Sequence, residues 1–143
     1  MALVKNLENS VLMGETVTSQ ARRLLAEMGG IASTHYLASK LSRSPRAIRD
    51  LLKRPGGAVV YLGAGYVALQ HAPFPTVQTF VEAWLQDNGP AHVDDLVDVI
   101  EARYPHGHRE AIRQWVTQQP GRLQRRAGSD LIACAQHWKE THA

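Results

Sequence analysis

The sequence predicts a mainly α-helical fold with small β-hairpins, an α+β class, on three observations. Apolar residues recur at the spacing of one helix face in successive segments, as in Val17, Ala21, Leu24, Leu25 and Met28. A group of such segments ends at Pro-Gly and is followed by a β-rich run interrupted by glycine. The same order then occurs a second time. Pro45-Arg46-Ala47-Ile48-Arg49, the pair Leu51-Leu52, Pro55-Gly56, Gly63 and the run Tyr66-Val67-Ala68-Leu69 are answered by His108-Arg109-Glu110-Ala111-Ile112-Arg113, Trp115-Val116, Pro120-Gly121, Gly128 and Leu131-Ile132-Ala133-Cys134.

In the first half, the helix through Val17 and Met28 is stopped by Gly29-Gly30. Ser33 suits the N-cap of a short helix whose apolar face is Tyr36, Leu37, Ala38 and Leu41. Ser44-Pro45 marks a further helix start, with serine at the cap and proline in the first turn. That helix carries Ala47, Ile48, Leu51 and Leu52 and ends before Pro55-Gly56-Gly57. Residues 58–62 and 66–69 read as two strands joined by a Gly63-Ala64-Gly65 turn. Leu3, Leu7 and Val11 place an extra helix in an N-terminal extension, residues 1–13.

The prolines of His71-Ala72-Pro73-Phe74-Pro75 bar a helix there and set the boundary near residue 73. In the second half Thr76 caps a helix through Val77, Phe80, Val81 and Trp84, ended by Asn88-Gly89-Pro90. Val93, Leu96, Val97 and Ile100 line the next helix, and Ala111, Ile112, Trp115 and Val116 the one after. Residues 122–127 and 131–135 form the second hairpin around Gly128-Ser129-Asp130. The chain thus divides into 1–72, which includes the extension, 76–136, and a tail 137–143 that is loose unless Trp138 tethers it. Units this small bury a limited fraction of their surface, so the two are expected to pack on each other.

Composition narrows the function classes. The chain has 143 residues, 44% hydrophobic and 20% charged, which is globular composition. No apolar run approaches the roughly 18 residues needed to span a bilayer. Residues 1–13 are too mixed for a secretory signal, with Lys5, Asn6, Glu8, Asn9 and Ser10 among them. The single cysteine, Cys134, excludes an internal disulfide framework and fits a reducing cytosol, so a cytoplasmic protein with no membrane contact is expected. The net charge of +3 is unevenly divided: residues 1–72 carry +5 and the remainder −2.

Three helices followed by a two-stranded hairpin is the order of a winged helix-turn-helix, and the residues add to the likeness. The stretch Tyr36-Leu37-Ala38-Ser39-Lys40-Leu41-Ser42-Arg43-Ser44-Pro45-Arg46-Ala47-Ile48-Arg49-Asp50-Leu51-Leu52 resembles the helix-turn-helix pattern L-A-x-x-L-x-x-S-x-x-x-I-R-x-x-L. The glycine usual in the turn is absent, and Ser42 stands near its place. The run from Val60 through Gly63-Ala64-Gly65 to Leu69 is similar to the wing of many bacterial winged helices. The resemblance covers residues 15–70 well and extends to 76–135 by likeness to the first half. It implies a tandem winged helix, each unit three helices plus a two-stranded wing. It also implies double-stranded DNA as partner, although such folds serve as protein-interaction modules too.

On a helical wheel through Ile48, Leu51 and Leu52, the residues Arg46, Arg49 and Lys53 fall on the opposite side, with Arg43 in the turn and Arg54 at the helix end. Arginine forks to guanine edges, lysine supplies a phosphate charge, and Ser44 at a helix start suits a phosphate oxygen. A solvated polar face is the plain alternative, and Asp50 is positioned to pair with Arg46. In the second half Arg113 matches Arg49, but Glu110 replaces Arg46 and Thr117 replaces Lys53. Arg122, Arg125 and Arg126 make that half's hairpin basic, as phosphate contacts or as an ordinary polar hairpin. Asp94, Asp95, Asp98 and Glu101 form an acidic helix face that must avoid DNA or meet a basic protein. The first hairpin, residues 58–69, has no charge and is expected to pack on the other half or another subunit, with Tyr61 and Tyr66 as core or interface residues.

Other chemistry is weakly supported. His106-Gly107-His108 with His92 supplies too few ligands for a metal site, Cys134 lies in an apolar run and reads as a small core residue, and Trp84 and Trp115 read as core. No phosphate loop or catalytic triad is evident, so neither a cofactor nor enzymatic activity is expected. The residues point to a DNA-binding transcriptional regulator using Arg43, Ser44, Arg46, Arg49, Lys53 and Arg54, with Arg113, Arg122, Arg125 and Arg126 as secondary contacts. The alternative is a protein-interaction adaptor of a nucleoprotein, polymerase or phage-related complex, suggested by the uncharged first wing and the acidic helix.

Overall fold

The computed structural model describes residues 16–53 and 58–142. The extension 1–13 and Arg54 lie outside them. The first unit runs α1 (Val17–Glu27), β1 (Ile31–Ser33), α2 (Thr34–Leu41), α3 (Pro45–Leu52), β2 (Val59–Gly63) and β3 (Tyr66–Leu69). The second runs α4 (Val77–Asn88), β4 (Ala91–His92), α5 (Val93–Arg103), α6 (Arg109–Thr117), β5 (Leu123–Arg125) and β6 (Leu131–Cys134), followed by α7 (Ala135–His142). The described residues form an α+β fold of helices and small antiparallel sheets.

The helix starts follow their caps. Thr16, Ser33, Ser44 and Thr76 each accept a hydrogen bond from the backbone N–H three residues on. Each satisfies a donor that the first helical turn leaves unpaired.

The sheets correct the expected two-stranded hairpins. Each is three-stranded, in the orders β1-β3-β2 and β4-β6-β5, with the last strand of the unit in the centre. The added strands are Ile31–Ser33 and Ala91–His92, immediately before the second helix of each unit. They are too short to show a period of two. The first hairpin turn is also tighter than expected: Gly63 pairs with Tyr66, with a register shift between Tyr61 and Gly63. The two turn residues, Ala64 and Gly65, both have positive φ, 56° and 86°, as a type I′ turn requires. Ala64 adopts a conformation unfavourable for its Cβ, but its methyl is buried in the core.

The first sheet has two covered faces. Successive side chains of a strand point to opposite sides. Ala32 and Val67 accordingly pack on Leu25, Leu37, Ile48 and Leu52 of their own unit. Ile31, Tyr66 and Ala68 turn the other way and join Val77, Leu96, Ile100, Ile112 and Ile132 of the second unit. The expected packing of one half on the other is therefore built through a sheet shared by two cores. Tyr66 donates to the Tyr104 carbonyl at 2.9 Å, and the Ser33 N–H donates to the His106 carbonyl at 2.9 Å. Gly107 lies against Tyr66, and a Cβ there would overlap the phenol oxygen. His108 stacks on His35 at 3.9 Å between ring centroids, and His106 lies 4.8 Å from the Tyr36 ring.

The segment expected to be loose at the C-terminus is helical. Trp138 on α7 tethers it, its indole N–H donating to the Gln124 carbonyl at 2.8 Å.

Candidate nucleic-acid interface

The segment from α2 to α3 is shaped by its sequence. Ser42 ends α2 in the left-handed conformation, φ 54° and ψ 44°, the geometry that glycine usually supplies at such a turn. The Arg43 N–H returns to the Ala38 carbonyl at 2.9 Å. Ser44 then caps α3, its hydroxyl accepting from the Ala47 N–H at 3.1 Å, with Pro45 in the first turn. Ile48 and Leu52 are buried and Ala47 and Leu51 half-buried. This anchors one side of α3 and leaves Arg46, Arg49, Asp50 and Lys53 exposed, with Arg43 exposed in the turn before them.

Among the described residues, none of Arg43, Arg46, Arg49 and Lys53 forms an ion pair, and Arg46 and Asp50 do not meet. The hairpin is fastened to this helix by Tyr61, whose hydroxyl donates to the Arg49 carbonyl at 2.8 Å. Tyr66 is core, as expected. Tyr61 lies outside the core: it is 40% exposed and stands beside the exposed Val60 on β2, an outer strand of its sheet. Burial and nearby Asp50 raise the Tyr61 phenol above its ordinary pKa, against an opposing effect of Arg49.

The corresponding helix of the second unit has a different electrostatic setting. Arg113 pairs with Asp94, and Glu110 lies 4.0 Å from its Nε. Arg109 bridges Asp98 at 2.8 Å and Glu101. Asp94, Asp98 and Glu101 of the acidic face of α5 are thus met by arginines of α6 within the same unit, and among the described residues Asp95 is not. Arg122, Arg125 and Arg126 are exposed on or beside β5. They form a separate group, on the other unit from the α3 cluster. The Arg125 N–H donates to Gln119 Oε1 at 3.0 Å, and Arg125 and Arg126 border a depression with Trp138.

Several features were not visible along the chain. Asp94, Asp98 and Glu101, which pair with Arg109 and Arg113, lie on another helix, up to 19 positions away in sequence. His35 and His108 meet only through the packing of the units. Burial, His108 and Arg49 together hold the His35 pKa below its ordinary value, and its Nδ1 is buried without a partner among the described residues. His108 Nδ1 accepts from the Ala111 N–H at 3.3 Å, a cap that requires this nitrogen unprotonated. Trp84 and Trp115 are half-buried at the edge of the core rather than inside it. Cys134 is buried, and burial raises its thiol pKa above the ordinary value, as suits a packing residue.

Among the described residues no helix is long and apolar enough to cross a membrane. In comparisons with known proteins, the chain matches no family model and no curated sequence.

Proposed function

We propose that the chain is a non-enzymatic, cytoplasmic tandem winged helix that binds double-stranded DNA, with α3 of the first unit entering the major groove, as a transcriptional regulator. The observation that carries this reading is the contrast between two equivalent helices. The exposed face of α3 presents Arg46, Arg49 and Lys53, with Arg43 beside them, and no carboxylate pairs with any of them among the described residues. On α6 the arginines are matched by Asp94, Asp98 and Glu101. An unmatched cationic stripe on an anchored helix suits phosphate and base-edge contacts, because binding it releases counterions from DNA without first breaking internal pairs. Element order supports the same reading: each unit runs helix, short strand, two helices and hairpin, with the hairpin and short strand in one sheet.

The adaptor alternative rests on the uncharged first hairpin and the acidic helix. The turn of that hairpin packs on α6, with Gly63 against the Trp115 ring and Gly65 against Ala111, and the acidic helix is paired with arginines. Val60 and Tyr61 remain as its exposed apolar support. Heparin chromatography and a gel shift with random duplex separate the two. A DNA binder shows strong, salt-sensitive retention and a shifted band, and a protein adaptor shows neither.

A further inference from the structure

A cleft of about 440 Å³ separates the two units on the side of α3 and the first hairpin. Its principal walls are Arg49 and Tyr61 of the first unit and Gln114, Trp115 and Gln118 of the second. The volume equals about fifteen waters at the liquid share of roughly 30 Å³ each, and falls in the usual range for small-molecule sites. Arg49 and the Trp115 indole N–H in the cleft lining are donors only, while the glutamine amides both donate and accept. Arg49 carries a charge that no carboxylate meets among the described residues, and the Trp115 indole N–H has no acceptor among them. No Asp or Glu lines the cleft. Asp50 lies near Tyr61 but is outside the lining. The Gly63-Ala64-Gly65 turn also lines the cleft, and the absence of a side chain on Gly63 lets Trp115 approach closely: a Cβ there would lie 3.2 Å from its Nε1.

We propose that this cleft binds a planar aromatic monoanion, an aryl carboxylate, with its carboxylate on Arg49 and its ring beside Tyr61 and Trp115. A single guanidinium matches one negative charge and offers the fork geometry of a carboxylate. The glutamines and the indole N–H supply further donors, and the aromatic side chains supply flat apolar area. The histidine in the lining, His35, is stacked on His108, and burial, His108 and Arg49 lower its pKa, which disfavours a second positive charge there. A dianion such as a phosphate monoester is therefore less well matched than a carboxylate. The ligand requirement follows from the cleft alone and does not depend on DNA binding.

The test uses the free protein, with 2-naphthoate as probe and its neutral amide as comparison, followed by calorimetry and by amide and indole NMR shifts. Saturable one-site binding of naphthoate is expected, with shifts at the Trp115 indole and around the Gly63-Ala64-Gly65 turn. Arg49→Gln, an exposed substitution that leaves the core intact, is expected to weaken naphthoate about tenfold or more, and the neutral amide to bind the native protein more weakly by a similar factor. Trp115→Phe, which keeps the ring but removes the N–H, is expected to weaken binding to a smaller degree. Absence of saturation at millimolar naphthoate overturns the proposal. So does naphthoate binding of equal strength to the native protein and to a folded Arg49→Gln variant.

Discussion

At the scale of single residues, the junction between the units turns on Gly107. Its neighbour Tyr66 is fully buried and uses its hydroxyl to hold the Tyr104 carbonyl. A methyl at position 107 would overlap the phenol oxygen and crowd Ile112. Overpacking of this kind costs about 1–3 kcal/mol, with about 1 kcal/mol more if the hydroxyl loses its bond. Gly107→Ala is therefore expected to lower the urea midpoint clearly without changing the slope of the transition. The tightest overlap is with the phenol oxygen, while the ring carbon bearing it also lies close at 2.8 Å, so Tyr66→Phe should partly rescue the clash, and the double variant should lose less than the sum of the single losses. The His35 and His108 stack is a second sensitive contact. The folded state holds His35 below its ordinary pKa of 6.5, so it disfavours the charged ring. His35 therefore contributes to stability above that value, and the contribution is lost as the pH falls below it. His92 works in the opposite direction: its exposed pair with Asp130 raises its pKa, so this pair helps below 6.5 and its help fades as the pH rises. Comparing the native protein with His35→Phe between pH 7 and pH 5 isolates the first effect. The variant should lose less stability on acidification, and equal losses would show that the stack does not oppose protonation.

At the scale of elements, charge pairing between α5 and α6 distinguishes two helices that occupy matching places. Arg113 is held by Asp94 and approached by Glu110. Exposed pairs of this kind contribute only about 0.2–1 kcal/mol to stability, so their effect on where cations are available matters more than their effect on folding. Asp94→Asn combined with Glu110→Gln is expected to leave the fold intact and to strengthen retention on heparin, with a salt slope steeper by about 1 if Arg113 then reaches a phosphate. Unchanged retention would show that Arg113 cannot reach the polymer even when unpaired. Much at this scale was legible in the chain. Ser33, Ser44-Pro45 and Thr76 marked helix starts because their chemistry is local, and the buried positions of α3 followed from the helical period. The strands Ile31–Ser33 and Ala91–His92 were not legible, because a strand of two or three residues has no period and is defined by its pairing with a distant one. The helix Ala135–His142 lacks an apolar stripe and draws its order from Trp138 and from β6 before it. The ion pairs that Arg109 and Arg113 make with α5 depend on how two helices face each other, which no spacing along one chain encodes.

At the scale of the whole molecule, two units of one plan are joined through a sheet that serves both. Val67 faces the helices of the first unit while Tyr66 and Ala68 face the core of the second, so the second unit's core is completed by side chains of the first. The net charge of +3 conceals an unequal division, with +5 before residue 73 and −2 after it. The structure shows the local form of that inequality: arginines of α6 are paired, and those of α3 are not among the described residues. DNA binding through α3 is most directly tested by the salt dependence of duplex affinity in the native protein and in the Arg46→Ala/Arg49→Ala double variant. Both positions are exposed, so the fold is expected to survive and can be checked by circular dichroism. Loss of two phosphate or base contacts should weaken binding at every salt concentration and reduce the slope of log affinity against log salt by about 2. A folded double variant with native affinity and native slope would contradict DNA recognition by this helix.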